Sequence, residues 1–459
     1  EDSVANICYT SGTTGNPKGI MLTHLNYWAN CHDSIELFNV PDYFKTLVIL
    51  PIDHSFAHTV AIYAGLLKGI QLYFVDYRDG SAQALKNIPI NILESNPYFL
   101  LTVPALSGNF MKKIIDGIES KGKIINFIFK SGLSCGIRYY GNGFKKPSIL
   151  TRILNYLPYK FADLLIFKKV KKIFGNNIQF FVGGGALLDI KQQQFFYTIG
   201  VPIYQGYGLT EAAPVISSNT PQKHKLGSSG IIAPTVTCKI ITEDGKEAKI
   251  GEKGQIVIKG ENVMKGYYKN KDETEKTIKD GWLYTGDLGY FDEDGFLVVV
   301  GREKALLISE DGEKYSPEEI EEAIVNSSEF IFQVMLYNDH KKYTTSLITL
   351  NTEKLKTIIK QREIKESDTI LDLIYHDFLK FSSDPSFKDK FPKKWHPSTF
   401  MIIEEPFSEA NHMINSTMKM VRYKIIEAYK DKIEYMYTTE GMKYKNEVNK
   451  SVIEKIIRI

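Results

Sequence analysis

Short apolar runs alternate with segments of helical periodicity along the first half of the chain. The apolar runs, each bounded by turn-forming residues, lie at 4–9, 46–51, 71–75, 98–103 and 178–182. The segments with apolar residues at helical spacing lie around 24–36, 58–68 and 104–118. Strands that alternate with helices indicate parallel sheets with crossover helices. We therefore predict an α/β fold, with a parallel α/β part over 1–226 in which 4–9 is a short buried strand.

The pattern changes near residue 227. Short strand-like segments follow one another at 238–242, 255–259 and 296–300, and turns with Asp-Gly at 244–245 and 294–295 separate them. Asp-Gly between two β-type runs is typical of hairpins. The pattern predicts an antiparallel β subdomain over 227–301.

Strands and helices alternate again beyond Arg302. Ser316 followed by Pro317 is a typical helix start, because serine favours the N-cap and proline the first turn. We predict a connecting segment at 302–305 and a C-terminal α+β domain over 306–459.

Composition narrows the class of protein. The chain has 459 residues, 43% of them hydrophobic and 24% charged, which excludes a mostly disordered protein and leaves room for about three domains. With 57 Lys and Arg against 54 Asp and Glu, it is not expected to bind nucleic acid over its general surface. No uncharged apolar run reaches the roughly 18 residues that a bilayer-spanning helix needs. Four cysteines without pairing rhythm, and no signal peptide, predict reduced thiols and a cytoplasmic protein.

The stretch 144–175 combines Lys and Arg with Leu, Ile, Tyr and Phe at helical spacing. It fits a basic amphipathic surface that contacts the inner face of a membrane peripherally. It also fits helices packed on the domain with lysines facing water, and this second interpretation is favoured.

The loop from Thr10 to Gly19 has the composition of a polyphosphate-binding loop. It reads Thr10-Ser11-Gly12-Thr13-Thr14-Gly15-Asn16-Pro17-Lys18-Gly19. Its glycines let backbone N–H groups approach phosphate oxygens, its hydroxyls donate hydrogen bonds, and Lys18 adds a positive charge. It is not a Walker A loop, because Pro17 stands where the second glycine belongs.

Further strings carry groups that suit a nucleotide. In Gly206-Tyr207-Gly208-Leu209-Thr210-Glu211, the ring can lie against a flat base, and Thr-Glu can offer oxygens to Mg²⁺. Asp287 in Thr285-Gly286-Asp287 and the run Gly183-Gly184-Gly185-Ala186 mean little by themselves.

Taken in this order, the motifs resemble those of the adenylate-forming superfamily, and the chain looks most like bacterial long-chain fatty-acid–CoA ligases. The resemblance runs from Thr10 to Lys419. It implies a large adenylation domain and a small mobile C-terminal domain. It also implies that the carboxylate of a fatty acid reacts with ATP, with Mg²⁺ as cofactor, to give acyl-AMP and pyrophosphate, and that coenzyme A then displaces AMP. The family carries well over a hundred residues before this loop, so we expect Glu1 to follow a missing N-terminal portion.

The resemblance also assigns roles to single residues. The loop residues Thr10, Ser11, Gly12, Thr13, Thr14, Gly15 and Lys18 would cover the β- and γ-phosphates, with Thr10 a further candidate oxygen for Mg²⁺. The segment Gly184, Gly185 and Ala186 would lie along the adenine and the acyl entrance, and the ring of Tyr207, which Gly208 follows, would lie on the adenine. Thr210 would contact the α-phosphate, Glu211 would hold Mg²⁺, and Asp287 would accept the ribose hydroxyls with Arg302 beside it. Lys304 would be the hinge of the C-terminal domain.

Two further catalytic candidates come from the resemblance. Lys419, in Thr417-Met418-Lys419, would bridge the substrate carboxylate and the α-phosphate, with Lys424 as the fallback. His54 falls at the aromatic position that borders the carboxylate. His54 and His58 are spaced as a metal pair could be, but no third ligand follows, so a packed helix face with one active-site histidine is favoured.

Two alternatives to a fatty-acid–CoA ligase stay open. The thiol acceptor could be an acyl-carrier protein instead of coenzyme A. The chain could also be a catalytically incomplete fragment that binds a nucleotide or an acyl group.

Overall fold

The computed structural model of the chain describes residues 1–10, 17–78, 81–384, 387, 391–415 and 419–458. These residues form two compact units. The first unit runs to Val300 and the second begins at Gly301, so the strand Leu297–Arg302, which otherwise belongs to the first unit, has its last two residues in the second.

The first unit alternates strands and helices up to β8 and then consists mainly of strands. Its strands are β1 (Val4–Thr10), β2 (Lys18–Thr23), β3 (Lys45–Val48), β4 (Gln71–Phe74), β5 (Phe99–Thr102), β6 (Phe180–Gly183), β7 (Ile203–Gly208), β8 (Val215–Ser218), β9 (Ile231–Ile232), β10 (Thr237–Ile241), β11 (Gly254–Lys259), β12 (Gly266–Tyr267), β13 (Ile278–Lys279), β14 (Trp282–Phe291) and β15 (Leu297–Arg302). Its α-helices are α1 (His24–Phe38), α2 (Ala64–Lys68), α3 (Ser81–Ser95), α4 (Pro104–Glu119), α5 (Lys123–Tyr140), α6 (Ile149–Ala162), α7 (Lys168–Lys171), α8 (Ile190–Thr198) and α9 (Lys271–Thr277). Two π-helical segments, Ala57–Tyr63 and Asp163–Phe167, and two 3₁₀ segments, Lys172–Phe174 and Thr210–Ala212, complete the described helical parts.

The main sheet has the strand order β4-β3-β5-β6-β7-β8-β9 among the described residues. The strands from β4 to β7 pair in parallel, and β7, β8 and β9 pair antiparallel. Its two central strands, β5 and β6, are buried throughout. Successive side chains of a strand point to opposite faces. Leu100 and Phe181 accordingly belong to one hydrophobic cluster, and Phe99, Phe180 and Val182 to another. Burial on both faces is what a parallel sheet covered by helices requires, and the predicted α/β class is confirmed.

The prediction of a buried strand at 4–9 is wrong in its burial. β1 is a strand, but it pairs antiparallel with β2 at the edge of a separate sheet of order β1-β2-β12. Val4 is 39% exposed and Tyr9 is 64% exposed. The core face of this small sheet comes instead from Ile20 and Leu22 of β2, which are fully buried.

The antiparallel sheet of the first unit has the order β10-β11-β14-β13, with β15 beside β14. The turn between β14 and β15 is built on the predicted Asp-Gly signal, since Gly295 has φ +79°. Asp292 Oδ1 accepts hydrogen bonds of 2.9 Å from the backbone N–H groups of Asp294 and Phe296. The short strands β9 and β12 pair in the other two sheets, so residues 227–301 contribute to three sheets.

The second unit is an α+β unit. Its strands are β16 (Leu307–Ser309), β17 (Lys314–Tyr315), β18 (Ile331–Tyr337), β19 (Asp339–Lys341), β20 (Thr344–Leu350) and β21 (Pro397–Ile402), which form the sheets β17-β16-β19 and β18-β20-β21. Its helices are α10 (Pro317–Ser327), α11 (Thr352–Gln361), α12 (Ser367–Phe378), α13 (Lys380–Ser383), α14 (Arg422–Ala428), α15 (Lys430–Tyr435) and α16 (Glu447–Arg458), with 3₁₀ turns at Glu303–Ala305 and Lys393–Trp395. The helix predicted after Ser316 is α10, with Pro317 in its first turn, although the Ser316 side chain makes no capping hydrogen bond.

Within the described part of the chain, no helix combines the length and the apolarity that crossing a bilayer requires.

Candidate active site

Several predicted site residues lie in loops at one edge of the main sheet. β3, β5 and β6 are parallel strands, and their carboxyl ends lead into the loops that hold His54, Val103 and Gly184. The loops are in contact: the Gly184 N–H donates a 3.1 Å hydrogen bond to the Thr102 carbonyl, and a Cβ at position 184 would lie 3.1 Å from the Phe56 ring. Crevices outside the carboxyl ends of such strands are where open α/β sheets bind ligands.

A buried hydroxyl pair joins the loop after β3 to the loop after β7. Ser55 Oγ and Thr210 Oγ1 are 3.1 Å apart, and both side chains are buried. Either hydroxyl can be the donor, and in both cases the contact restricts the direction in which the Thr210 hydroxyl points. Ser55 was not predicted as a site residue, and its position beside His54 was the only signal that pointed to it.

His54 and His58 have different surroundings. His54 Nδ1 accepts a 3.3 Å hydrogen bond from the Phe56 N–H. The His58 ring packs against Tyr63, with ring centroids 4.4 Å apart. No cluster of three or more possible His, Cys, Asp or Glu ligands exists in the part of the chain that the structure describes. The arrangement fits the favoured interpretation, in which His58 belongs to a packed helical face.

Close packing holds the turn that carries Thr210 and Glu211. A Cβ at Gly208 would lie 2.0 Å from the Pro214 carbonyl oxygen, so this position requires glycine for packing, whether or not it also approaches a nucleotide. The Asn262 side chain, which is fully buried, donates a 3.1 Å hydrogen bond to the Ala212 carbonyl. Together these contacts hold the backbone of the turn in place, and with it the positions of Thr210 and Glu211.

Tyr267 connects Glu211 with the end of the predicted phosphate loop. The Tyr267 hydroxyl donates a 3.1 Å hydrogen bond to Glu211 Oε1, and Lys18 Nζ lies 5.1 Å from the centre of the same ring. Burial, and next the nearby Glu211 carboxylate, raise the pKa of Tyr267, so its hydroxyl keeps its proton and remains a donor. Lys18 also forms an ion pair with Glu273.

Neither Tyr267 nor Glu273 was predicted from the sequence. No motif contains them, and they come near Lys18 because β12 pairs with β2, with Tyr267 opposite Ile20. The predicted phosphate-binding charge of Lys18 therefore has a carboxylate partner of its own in this structure.

Tyr207 and Asp287 are in direct contact. The Tyr207 hydroxyl donates a 2.8 Å hydrogen bond to Asp287 Oδ2, which joins the end of β7 to β14 of the antiparallel sheet. Asp287 is buried, and its backbone N–H donates to Thr285 Oγ1 over 3.1 Å. The two residues that the resemblance assigned to the adenine and the ribose therefore lie next to each other.

The segment after β6 is shaped by backbone conformation. Gly185 has φ +83°, a left-handed conformation that favours glycine. The Ala186 carbonyl accepts a 2.9 Å hydrogen bond from Gln205 Nε2. Gln205 Oε1 is buried and has no hydrogen-bond partner among the described residues.

The middle of the predicted phosphate loop lies outside the described residues, and it includes Ser11, Gly12, Thr13, Thr14 and Gly15. Thr10 is the last residue of β1 and pairs with Lys18 in β2, so the two strands carry the ends of the loop.

The remaining predicted residues belong to the second unit. Arg302 is followed at once by the 3₁₀ turn Glu303–Ala305, which includes Lys304. Lys419 is exposed and is hydrogen-bonded to Asn415: the Asn415 N–H donates to the Lys419 carbonyl over 2.9 Å, and the Lys419 N–H donates to Asn415 Oδ1 over 2.8 Å. The helix α14, which begins at Arg422, is anchored by an ion pair between Arg422 and the buried Glu321.

The contacts Ser55–Thr210, Tyr207–Asp287 and Tyr267–Glu211 lie in a unit with a parallel sheet and an antiparallel sheet. Residues 1–268 match the family described as AMP-binding enzyme, and the chain belongs to this family. The superfamily inferred from the motifs is thereby confirmed.

The chain is similar to curated long-chain fatty-acid ligases. It is 28% identical over 462 residues to a long-chain-fatty-acid–CoA ligase, ACSBG1, of Rattus norvegicus, a match that covers 94% of this chain and 61% of the relative. It is 27% identical over 471 residues to a long-chain-fatty-acid–[acyl-carrier-protein] ligase, AEE15, of Arabidopsis thaliana, with 95% of this chain and 62% of the relative covered. The chain therefore spans about three fifths of the length of these relatives.

Among solved structures, the fold resembles that of O-succinylbenzoate coenzyme A synthetase from Bacillus subtilis in complex with ATP and magnesium ion. The TM-score is 0.60 at 22% identity, and the match covers 92% of this chain and 70% of that one. At this identity the likeness shows the fold.

Proposed function

We propose that this chain activates a long-chain fatty acid with ATP and transfers the acyl group to coenzyme A. The observation that carries the proposal is the placement of three polar contacts in one unit of an AMP-binding enzyme: Ser55 with Thr210, Tyr267 with Glu211, and Tyr207 with Asp287. The substrate class is supported by the relatives that are named long-chain-fatty-acid ligases.

The proposed reaction has two steps. A carboxylate oxygen attacks the α-phosphorus of ATP, and pyrophosphate leaves with the electrons of the broken P–O bond. The thiolate of coenzyme A then attacks the acyl carbon, and AMP leaves. Both partners of the first step are anionic, so catalysis there depends on positioning and on groups that offset negative charge.

The described residues would share the nucleotide as follows. Thr210 would donate its hydroxyl to the α-phosphate, and Ser55 is a positioning residue that orients this hydroxyl. The Tyr207 ring would lie on the adenine while its hydroxyl stays on Asp287, whose carboxylate would accept the ribose hydroxyls. Gly184 and its neighbours would line the adenine and the acyl entrance.

Glu211 fits a magnesium ligand. Mg²⁺ in nucleotide sites is held by one or two carboxylates together with phosphate oxygens and water, and a site with a single protein carboxylate agrees with this chemistry. The hydrogen bond from Tyr267 fixes one of the two carboxylate oxygens. When bound, Mg²⁺ would offset the charge that develops on the phosphate oxygens. Thr10 remains a prediction as a further ligand.

The second unit would supply residues for each half-reaction. Lys419 is proposed to offset the charge between the attacking carboxylate and the α-phosphate, with His54 bordering the same carboxylate. Arg302 would lie by the ribose, and Lys304 would be the hinge about which the second unit changes position between the two steps. These roles rest on the motifs.

An acyl-carrier protein is the second candidate acceptor, because the relative from Arabidopsis thaliana is named a ligase for that acceptor. Both acceptors present a thiol, so the first half-reaction is common to both. The test is to form the acyl adenylate with radiolabelled palmitate and then add either coenzyme A or a phosphopantetheine-loaded acyl-carrier protein. The proposal expects faster transfer to coenzyme A, and exclusive transfer to the carrier protein would contradict it.

A third candidate is a catalytically incomplete piece of such an enzyme, since the chain spans 61% of the ligase of Rattus norvegicus. Palmitate-dependent exchange of pyrophosphate into ATP should be measured on this chain and on a version extended at its N-terminus to the length of the relatives. Exchange by this chain supports the proposed acid activation and contradicts the third candidate, and exchange only by the extended version supports the third candidate. No exchange by either would contradict the ligase function.

A further inference from the structure

A long helical segment on the first unit has apolar residues on two faces. It consists of α6, the π-helical segment Asp163–Phe167 and α7. One face is part of the hydrophobic core, and its buried members include Tyr159, Ala162, Phe167 and Val170. Such a pattern is unusual, because a surface helix normally turns polar residues outward.

The other face is exposed. It contains residues spaced three or four apart that are 56 to 75% exposed, and we call them the leucine face: Leu150, Leu154, Leu157, Phe161 and Leu164. This spacing places them along one side of the helix. Ile149 and Ile153 beside them are also exposed. A contiguous apolar surface of this kind is typical of an interaction site.

The segment is firmly held on its core side. A Cβ at Gly132 of α5 would lie 2.0 Å from the Cβ of Ala162, so the two helices approach as closely as glycine allows. The hydroxyls of Tyr140 and Tyr159 are 2.8 Å apart. The leucine face is therefore the exposed side of a helix whose opposite side is packed against α5.

Charge around the leucine face is strongly one-sided. Residues 121–175 contain twelve Lys or Arg and one acidic residue, Asp163, whereas the rest of the chain has 45 basic against 53 acidic residues. Four lysines near the two ends of the leucine face in sequence are exposed and form no ion pair with any residue that the structure describes: Lys146, Lys168, Lys169 and Lys172. Lys171, which lies between the last two in sequence, is half-buried and donates a 2.9 Å hydrogen bond to the Gly200 carbonyl. Lys168 and Lys172 continue the spacing of the leucine face beyond Leu164.

We propose that the leucine face and these lysines dock on the anionic lipid surface of a membrane, with the helix lying in the plane of the interface. Apolar side chains that enter the headgroup boundary and lysines that contact anionic headgroups are the two attractions that hold such helices. The excess of unpaired lysines is what favours a lipid surface over a protein partner here. The proposal does not depend on the proposed ligase function.

The test is flotation of the 459-residue chain with two kinds of vesicle, phosphatidylcholine alone and phosphatidylcholine with about one third phosphatidylglycerol. The chain should bind the anionic vesicles and bind the neutral ones much more weakly. Leu154→Glu with Leu157→Glu should lower binding to anionic vesicles at least tenfold. Lys168→Glu with Lys169→Glu and Lys172→Glu should lower it by more than about a hundredfold, since the loss of each lysine near an anionic surface costs about fivefold and each new glutamate is repelled by the same surface.

Matched control variants lie elsewhere on the first unit. Ile250→Glu with Leu93→Glu changes two apolar side chains that are 69% and 60% exposed, and Lys249→Glu with Lys253→Glu and Lys276→Glu makes the same charge change as the lysine variant. Both controls should bind the vesicles as the unchanged chain does. The proposal is overturned if anionic vesicles bind no better than neutral ones, or if controls and test variants lose binding equally. A concentration-dependent dimer that Leu154→Glu with Leu157→Glu dissociates, without vesicle binding, would assign the surface to a second copy and also overturn it.

Discussion

The replacement Asp287→Asn tests the proposed ribose site most sharply. Asp287 is buried and accepts a 2.8 Å hydrogen bond from the Tyr207 hydroxyl. An asparagine has nearly the same shape, and its oxygen can still accept from Tyr207, so we expect the fold to be kept. What changes is the charge on the group that would accept two ribose hydroxyls.

The magnitude follows from that charge. A hydrogen bond to a charged group contributes about 1.5–3 kcal/mol and one between neutral groups about 0.5–1.5 kcal/mol. For two hydroxyls the change from carboxylate to amide should cost about 2–3 kcal/mol, or ~30- to 140-fold in the Kd for ATP.

Isothermal titration calorimetry with ATP and with 2′,3′-dideoxy-ATP separates this effect from a structural one. The unchanged chain should prefer ATP, and Asp287→Asn should lose most of that preference while it binds the dideoxy nucleotide as before. Tyr207→Phe is the matched control: it keeps the ring and should weaken both nucleotides equally, by about 2- to 10-fold. If Asp287→Asn weakened both nucleotides equally, or neither, the ribose assignment would be refuted.

Three further predictions concern catalysis and stability. Lys419→Ala should abolish palmitate-dependent pyrophosphate exchange but leave thioester formation from supplied acyl-AMP largely intact, whereas Lys424→Ala should change neither; equal loss of both reactions would refute the role of Lys419. Gly230→Ala should cost about 3 kcal/mol or more in urea unfolding, since Gly230 has φ +89° and its Cβ would lie 1.9 Å from a backbone carbon, while Gly245→Ala, with φ +80° and open space, should cost about 1–2 kcal/mol. Burial lowers the pKa of His224, so its contribution to stability is complete above the unfolded value of about 6.5 and is lost as the pH falls below it. The free energy of unfolding should therefore fall by at most ~1.4 kcal/mol per pH unit on account of His224. His224→Gln should remove this part of the pH dependence in urea unfolding, and an unchanged pH dependence would contradict the assignment.

The sequence predicted the parts of the site that lie within one short string. Tyr207, Thr210 and Glu211 follow one another in a single motif, so their types and spacing were visible. Their partners were not visible, because Ser55 is 155 residues from Thr210 and Tyr267 is 56 residues from Glu211. Such contacts depend on strand order, and no local pattern encodes that order.

Two local interpretations show where periodicity is insufficient. A short apolar run indicates that a strand is favoured, but it does not distinguish an edge strand such as β1 from a central strand such as β5. The segment Ala57–Tyr63 has the apolar content of a helix, but its geometry is π-helical, which hydrophobic periodicity does not distinguish from α-helical geometry.

The stretch 144–175 shows a third limit. All of its lysines except the half-buried Lys171 face water, as the favoured interpretation expected, but five large apolar side chains of the leucine face are exposed as well. Periodicity identified an amphipathic helix and could not show that its core face and its exposed face are both apolar.

The central claim, that a carboxylate is activated as an acyl adenylate, is tested most directly by an isotope. Palmitate labelled with ¹⁸O in its carboxylate should be incubated with ATP, Mg²⁺, coenzyme A and the chain, in this length and extended to that of its relatives, and the nucleotide product analysed by mass spectrometry. If the carboxylate attacks the α-phosphorus, one ¹⁸O atom is transferred from palmitate to AMP when the thiol displaces it, and none appears in pyrophosphate. Formation of ADP, or of AMP without ¹⁸O, alongside palmitoyl-CoA would contradict the account.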